Sequence, residues 1–201
     1  MLELIRNNLP ALMPIFVLSF ISVIIMIERF FYFYSIKEDN EVTRRSGSLY
    51  AQGKNEQALE ALGTAHNSAE RAVLRYAIEN RFLLDDVLRQ RLEIIAGNRI
   101  TLMENRVSFL AAIANIATLI GLLGTIVGMI VAFNAIYRAG SSNPYLLAGG
   151  IGQALITTAA GLATAIPNLL AYHYFAEVIG RKVDRLNNLI AEILSSKGSR
   201  L

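Results

Sequence analysis

Between Val107 and Phe175 the chain carries a single Asp, Glu, Lys or Arg, which is Arg138, in 69 positions. That charge divides two apolar runs, each long enough to cross a bilayer as a helix. Each run also bears a stripe of Thr, Asn, Gln, Gly and Ala, a face that hydrocarbon does not select. The pattern describes a membrane protein whose work is done between its helices.

A third apolar run, Leu9 to Ile27, precedes these two. Its 19 residues make a helix of about 28 Å, against a hydrocarbon core of about 30 Å. It has no basic segment beyond Arg6 and ends in Glu28-Arg29 instead of small residues, so it reads as a retained span and not a cleaved signal. Pro10 and Pro14 lie near its start, where proline costs least, and its polar residues are Ser19 and Ser22. These features make it the lipid-facing helix. Phe30 to Tyr34 follow as an aromatic cluster suited to a membrane interface.

A composition that is 54% hydrophobic over 201 residues is too apolar for an ordinary soluble domain. Of the 19 Lys and Arg, one precedes the first run, twelve lie in residues 28–106, one lies between the second and third runs, and five lie in 176–201. Basic residues favour the cytoplasm. Arg29, Lys37, Arg99 and Arg106, together with Arg181, Lys182 and Arg185, therefore place residues 28–106 and the C-terminus inside, and the N-terminus and the loop around Arg138 outside. Cysteine is absent, which excludes disulfides, thiolate metal sites and a cysteine nucleophile.

The expected fold is an all-α membrane protein with three transmembrane helices, the second and third extending into a cytoplasmic helical subdomain. Its divisions are 1–36, the first span with its aromatic end; 37–106, the cytoplasmic subdomain; and 107–137, the second span. A periplasmic turn at 138–145, the third span at 146–175 and a helical tail at 176–201 complete it. Gly47, Gly53 and Gly63 are read as breaks in the subdomain. From Ser68 a helix is expected to run unbroken to Tyr137, about 105 Å. Its apolar face is Val73, Ala77, Leu84, Leu88, Ile95 and Leu102. With a tight turn through Gly140-Ser-Ser-Asn-Pro144, the two long helices form an antiparallel hairpin.

In the second run the stripe includes Asn115, Thr118, Gly121, Thr125 and Gly128; in the third it includes Gln153, Thr157, Thr158, Gly161, Thr164 and Asn168. Two readings compete. Gly121, Gly124, Gly128 and Gly161 allow close backbone approach, and threonine hydroxyls can bond the carbonyl one turn back. Alternatively, hydroxyl and amide groups at successive depths line a polar pathway through Thr125, Thr157, Thr158, Gln153 and Asn168. None of the three runs contains Asp, Glu, Lys or Arg, and His173 lies near one end. Thr, Gln and Asn carry no titrating proton, so a proton pathway here needs an acid from another chain. Pro167 removes a backbone donor inside the third helix and is a candidate hinge.

Gly121-Leu-Leu-Gly-Thr-Ile-Val-Gly128 and the segment from Gly149 to Pro167, with Gly-Ile-Gly-Gln-Ala-Leu-Ile-Thr-Thr at its centre, resemble the signature of the MotA/TolQ/ExbB proton channel family, nearest to ExbB and TolQ. Glu28-Arg29 after the first span is similar too. The resemblance implies a homopentamer in the bacterial inner membrane, whose second and third helices surround a pore. A dimeric ExbD- or TolR-like partner would occupy that pore and supply the aspartate. Proton flow would drive its rotation, with force passed on through a TonB- or TolA-like protein. Thr125 and Thr158 match the family's pore threonines. Gln153 stands where the pattern usually has Glu, so a second titratable carboxylate is missing and the partner's aspartate would have to suffice. The alternatives are a non-conducting scaffold for a periplasmic partner, or a flagellar-type stator, which usually has four spans. No catalytic set, metal spacing or nucleotide loop is present, so neither an enzyme nor a cofactor is expected.

Overall fold

The computed structural model describes residues 9–35, 40–63, 68–139 and 144–198. They form six helices: α1 (Leu9–Ser35), α2 (Asn40–Ala51), α3 (Asn55–Leu62), α4 (Ala69–Glu79), α5 (Asp85–Ala139) and α6 (Pro144–Gly198). No strand occurs among the described residues. Three of these helices, α1, α5 and α6, are long and apolar enough to cross a membrane. Lys37, Arg6 and the centre of the expected turn, 140–143, lie outside the described residues.

Two compact units divide the chain, Met1–Arg29 with Arg106–Tyr174 and Phe30–Asn105 with Phe175–Leu201. In the first unit α5 and α6 meet through small residues, Ala117, Gly121, Ala132, Ala154 and Gly161. Many of its large side chains, among them Phe16, Phe20, Phe109, Leu123, Ile130 and Leu170, are exposed, as side chains facing lipid would be. The second unit has the opposite plan. Tyr50, Leu62, Leu74, Leu88, Leu92 and Leu186 are fully buried, and the surrounding surface is charged.

The expected unbroken helix from Ser68 to Tyr137 is corrected by a turn between α4 and α5. Asn80 stops α4: its backbone N–H and its side-chain amide both donate to the Tyr76 carbonyl, each at 3.0 Å. Asp85 and Asp86 then open α5, where the positive end of the helix dipole favours acids. The break shifts the apolar phase. Val73, Ala77 and Leu88 are buried as expected, but Leu84 is 78% exposed and Leu102 60%. The face that α5 buries below residue 106 is Leu88, Leu92, Ala96 and Met103.

Gly53 and Gly63 do end helices, with φ of 84° and 62°, values that side chains with a Cβ rarely adopt. Gly47, expected as a break, sits inside α2. There Ser46 donates to the Ala58 carbonyl at 2.6 Å and holds α2 against α3. The rings of Phe33 and Phe175 stack with centroids 5.3 Å apart. Lys197 near the end of α6 donates to the Leu83 carbonyl and pairs with Asp85 at 2.7 Å, closing the start of α5 against the end of α6.

Candidate functional site

The α5–α6 contact is built from glycine and alanine at each turn. A Cβ placed on Gly121 would meet the backbone of Gly161, Thr157 and Thr158 at 3.2 Å, and one on Gly128 would lie 2.8 Å from the Ala154 Cβ. A Cβ on Gly161 would lie 2.6 Å from the Ala117 carbonyl oxygen. On Gly124 it would strike the Thr157 side chain, and on Gly150 the Ala132 Cβ. One residue number rises as the other falls, so the helices run antiparallel. Gly121, Gly124, Gly128 and Gly161, the packing glycines expected from the sequence, all lie at this contact, and Gly150, four residues from Ala154 in the same pattern, joins them.

The polar stripe divides between the inside of this unit and its surface. Thr157 is 2% exposed, and its hydroxyl donates to the Ala154 carbonyl at 2.7 Å. Asn168 is 1% exposed, and its amide donates to the Thr164 carbonyl at 2.7 Å and to the Ser22 hydroxyl of α1 at 3.0 Å. Ser22 in turn donates to the Ser19 carbonyl at 2.8 Å. Thr164 is buried as well. The side chains of Thr157, Thr164 and Asn168 are thus enclosed within the chain. Leu12, Ile15 and Ser22 are buried on α1, so the helix expected to face lipid also has an inner edge. The Asn168 bond spans the turn containing Pro167, and α6 runs through that proline without interruption.

Asn115 and Thr118 are exposed, and Thr125, Gln153 and Thr158 are half-buried. Asn115 and Thr118 are three residues apart and Thr118 and Thr125 seven, so all three share one face of α5. Thr118 donates to the Ala114 carbonyl at 3.0 Å and Thr125 to the Leu122 carbonyl at 2.6 Å. Thr158 instead donates across the hairpin to the Gly121 carbonyl at 3.0 Å. A threonine with its O–H committed in this way keeps oxygen lone pairs, so it can accept a hydrogen bond from a protonated acid. To donate to a carboxylate it must first rotate. Thr125 also borders a shallow groove of about 590 Å³ with Ile126, Met129, Ile130, Phe133 and Asn134. Asn134 was missed in the sequence reading, although it is the one amide between Thr125 and Arg138.

Three apolar helices, two of them joined through glycines and carrying hydroxyls within an uncharged span, define a multi-pass membrane protein. The particular family follows from comparison. The model of the MotA/TolQ/ExbB proton channel family matches residues 65–188, and the chain belongs to that family. It is 30% identical over 160 residues to the biopolymer transport protein ExbB of Pseudomonas putida, a match covering 80% of this chain and 45% of that protein. Identity to the Tol-Pal system protein TolQ of Haemophilus influenzae is 46% over 80 residues, 39% of this chain and 35% of that protein. With the biopolymer transport protein exbB1 of Vibrio cholerae it is 33% over 161 residues, 77% and 69% of the two chains. The matched stretch thus spans less than half the length of the first two relatives.

Proposed function

We propose that this chain is the ring-forming subunit of an ion-driven motor in the bacterial inner membrane, with its N-terminus periplasmic and its C-terminus cytoplasmic. Five copies surround the membrane helices of a dimeric ExbD- or TolR-like partner, which supplies the aspartate that takes up and releases protons. The motion reaches the periplasm or outer membrane through a TonB- or TolA-like protein. The observation that carries this reading is the absence of Asp, Glu, Lys and Arg from residues 107–137 of α5 and 146–175 of α6, with Thr118 and Thr125 displayed on one face and Thr158 at the seam. Such a surface can hydrogen-bond a neutral acid during transfer, yet holds no charge that would trap the proton.

Within this reading the pathway residues are Thr125 and Thr158, joined by Asn115, Thr118 and Gln153. Thr157, Thr164 and Asn168 support the hairpin from within, because their side chains are enclosed in the protomer. Pro167 serves as a hinge beside them. Gln153 acts by hydrogen bonding alone, so the partner's aspartate is the sole titrating group of the pathway.

The test is proton uptake by liposomes holding the chain with its partner. Thr125→Val and Thr158→Val should each abolish partner-dependent uptake while the complex still purifies intact. Full uptake in both variants would remove the pathway assignment, and no partner-dependent uptake by the unaltered complex would leave the non-conducting scaffold reading. A requirement for Gln153→Glu before any uptake is seen would refute the single-acid mechanism.

A further inference from the structure

Among the described residues of the first unit four are charged, Glu28, Arg29, Arg106 and Arg138, and three of them meet. Glu28 Oε1 accepts from Arg29 at 2.9 Å and pairs with Arg106 at 2.7 Å, joining the end of the apolar part of α1 to the start of the apolar part of α5. Glu28 thus faces two guanidinium groups at once. Arg29 is 4% exposed and fixed in place, whereas the Arg106 side chain is 60% exposed. Arg106 has five N–H donors, more than one carboxylate oxygen uses.

Apolar side chains flank this cluster on the side of the span. Ile24 and Ile27 on α1 and Phe109, one turn beyond Arg106 on α5, are each more than half exposed. A cation at the seam of two membrane helices, with uncovered apolar side chains directly beneath it, has the chemistry of a lipid molecule's two ends: phosphate above and acyl chain below. We propose that the Glu28–Arg29–Arg106 cluster is a binding site for an anionic phospholipid, with Arg106 contacting the headgroup phosphate. Free phosphate would use the guanidinium but gain nothing from Ile24, Ile27 and Phe109. Glu28 sets the strength of the site, since it neutralises one of the two cations and holds Arg106 at the seam. The inference rests on the membrane spans and is independent of the motor reading.

The experiment counts lipids retained by the purified protein in native mass spectrometry, after reconstitution in equal amounts of phosphatidylglycerol and phosphatidylcholine. Phosphatidylglycerol should be retained in preference. Arg106→Gln should lower that preference roughly fivefold, the attraction attributable to one arginine near an anionic surface, and Arg106→Lys should keep most of it. Glu28→Gln should raise it, because the site then carries both positive charges. A merely structural ion pair moves both neutral variants in the same direction, with falling helicity, and that result would overturn the proposal. So would equal retention of the two lipids, or displacement of phosphatidylglycerol by millimolar inorganic phosphate.

Discussion

The two units solve the problem of holding helices together in opposite ways. In the second, large side chains such as Leu74, Leu92 and Leu186 are buried, and their removal from water stabilises the packing. In the first, many large side chains are outside, although Leu12, Ile15, Leu110 and Ile113 are buried, and α5 meets α6 through glycine, alanine and threonine. Leucine gains little by leaving lipid for a protein interior, so close backbone approach and interhelical hydrogen bonds must supply the attraction. The same kind of substitution should therefore act differently in the two units.

Leu92→Ala offers the largest effect. It empties a fully enclosed position in the second unit and should cost about 2–5 kcal/mol, read as a lowered midpoint of thermal unfolding. A loss below about 1 kcal/mol would contradict the description of that core. Gly161→Ala comes next, and it separates the units more sharply. One methyl group meets the Ala117 carbonyl oxygen, which belongs to backbone and has nowhere to retreat. The cost should be about 1–3 kcal/mol, measured as lost protection of the α5–α6 segment in hydrogen exchange. Gly97→Ala has the smallest effect and the opposite sign. Nothing lies within 4 Å of a Cβ there, so the variant should gain about 0.5–1 kcal/mol of helix stability. If Gly97→Ala and Gly161→Ala shifted unfolding equally, close packing would not be what distinguishes the hairpin.

The spans and the hairpin were legible because uncharged runs of that length have few other folds open to them. The break after α4 was hidden for a local reason. The segment from Asn80 to Leu84 has neither glycine nor proline, and only the Asn80 amide and the Asp85-Asp86 pair mark it. Missing it carried the apolar face from α4 into α5 out of phase, which is why Leu84 and Leu102 came out exposed. Gly47 was misread in the other direction, since one glycine does not end a helix that Ser46 ties to its neighbour.

The stripe was legible as a stripe and illegible as a site. A helical wheel gives the angle of a side chain but not what lies opposite it. Thr157 and Asn168 looked equivalent to Thr125 until the neighbouring helices enclosed them. Ser22 passed as an incidental polar residue of a lipid-facing helix, although the hydroxyl accepts a bond from Asn168 on α6. The pairing of Glu28 with Arg106 spans 78 positions in the chain, and no local pattern announces it.

The decisive measurement uses the absence of cysteine. Single cysteines at Thr118, Thr125, Leu123 and Val127, in the chain assembled in membranes, can be treated with a charged, membrane-impermeant thiol reagent that reacts only where water reaches. Thr118→Cys and Thr125→Cys should be modified, while Leu123→Cys and Val127→Cys, on the opposite side of α5, should stay unmodified. Labelling at Leu123 and Val127 with Thr118 and Thr125 silent would mean that the hydroxyl face meets lipid and no ion passes along it.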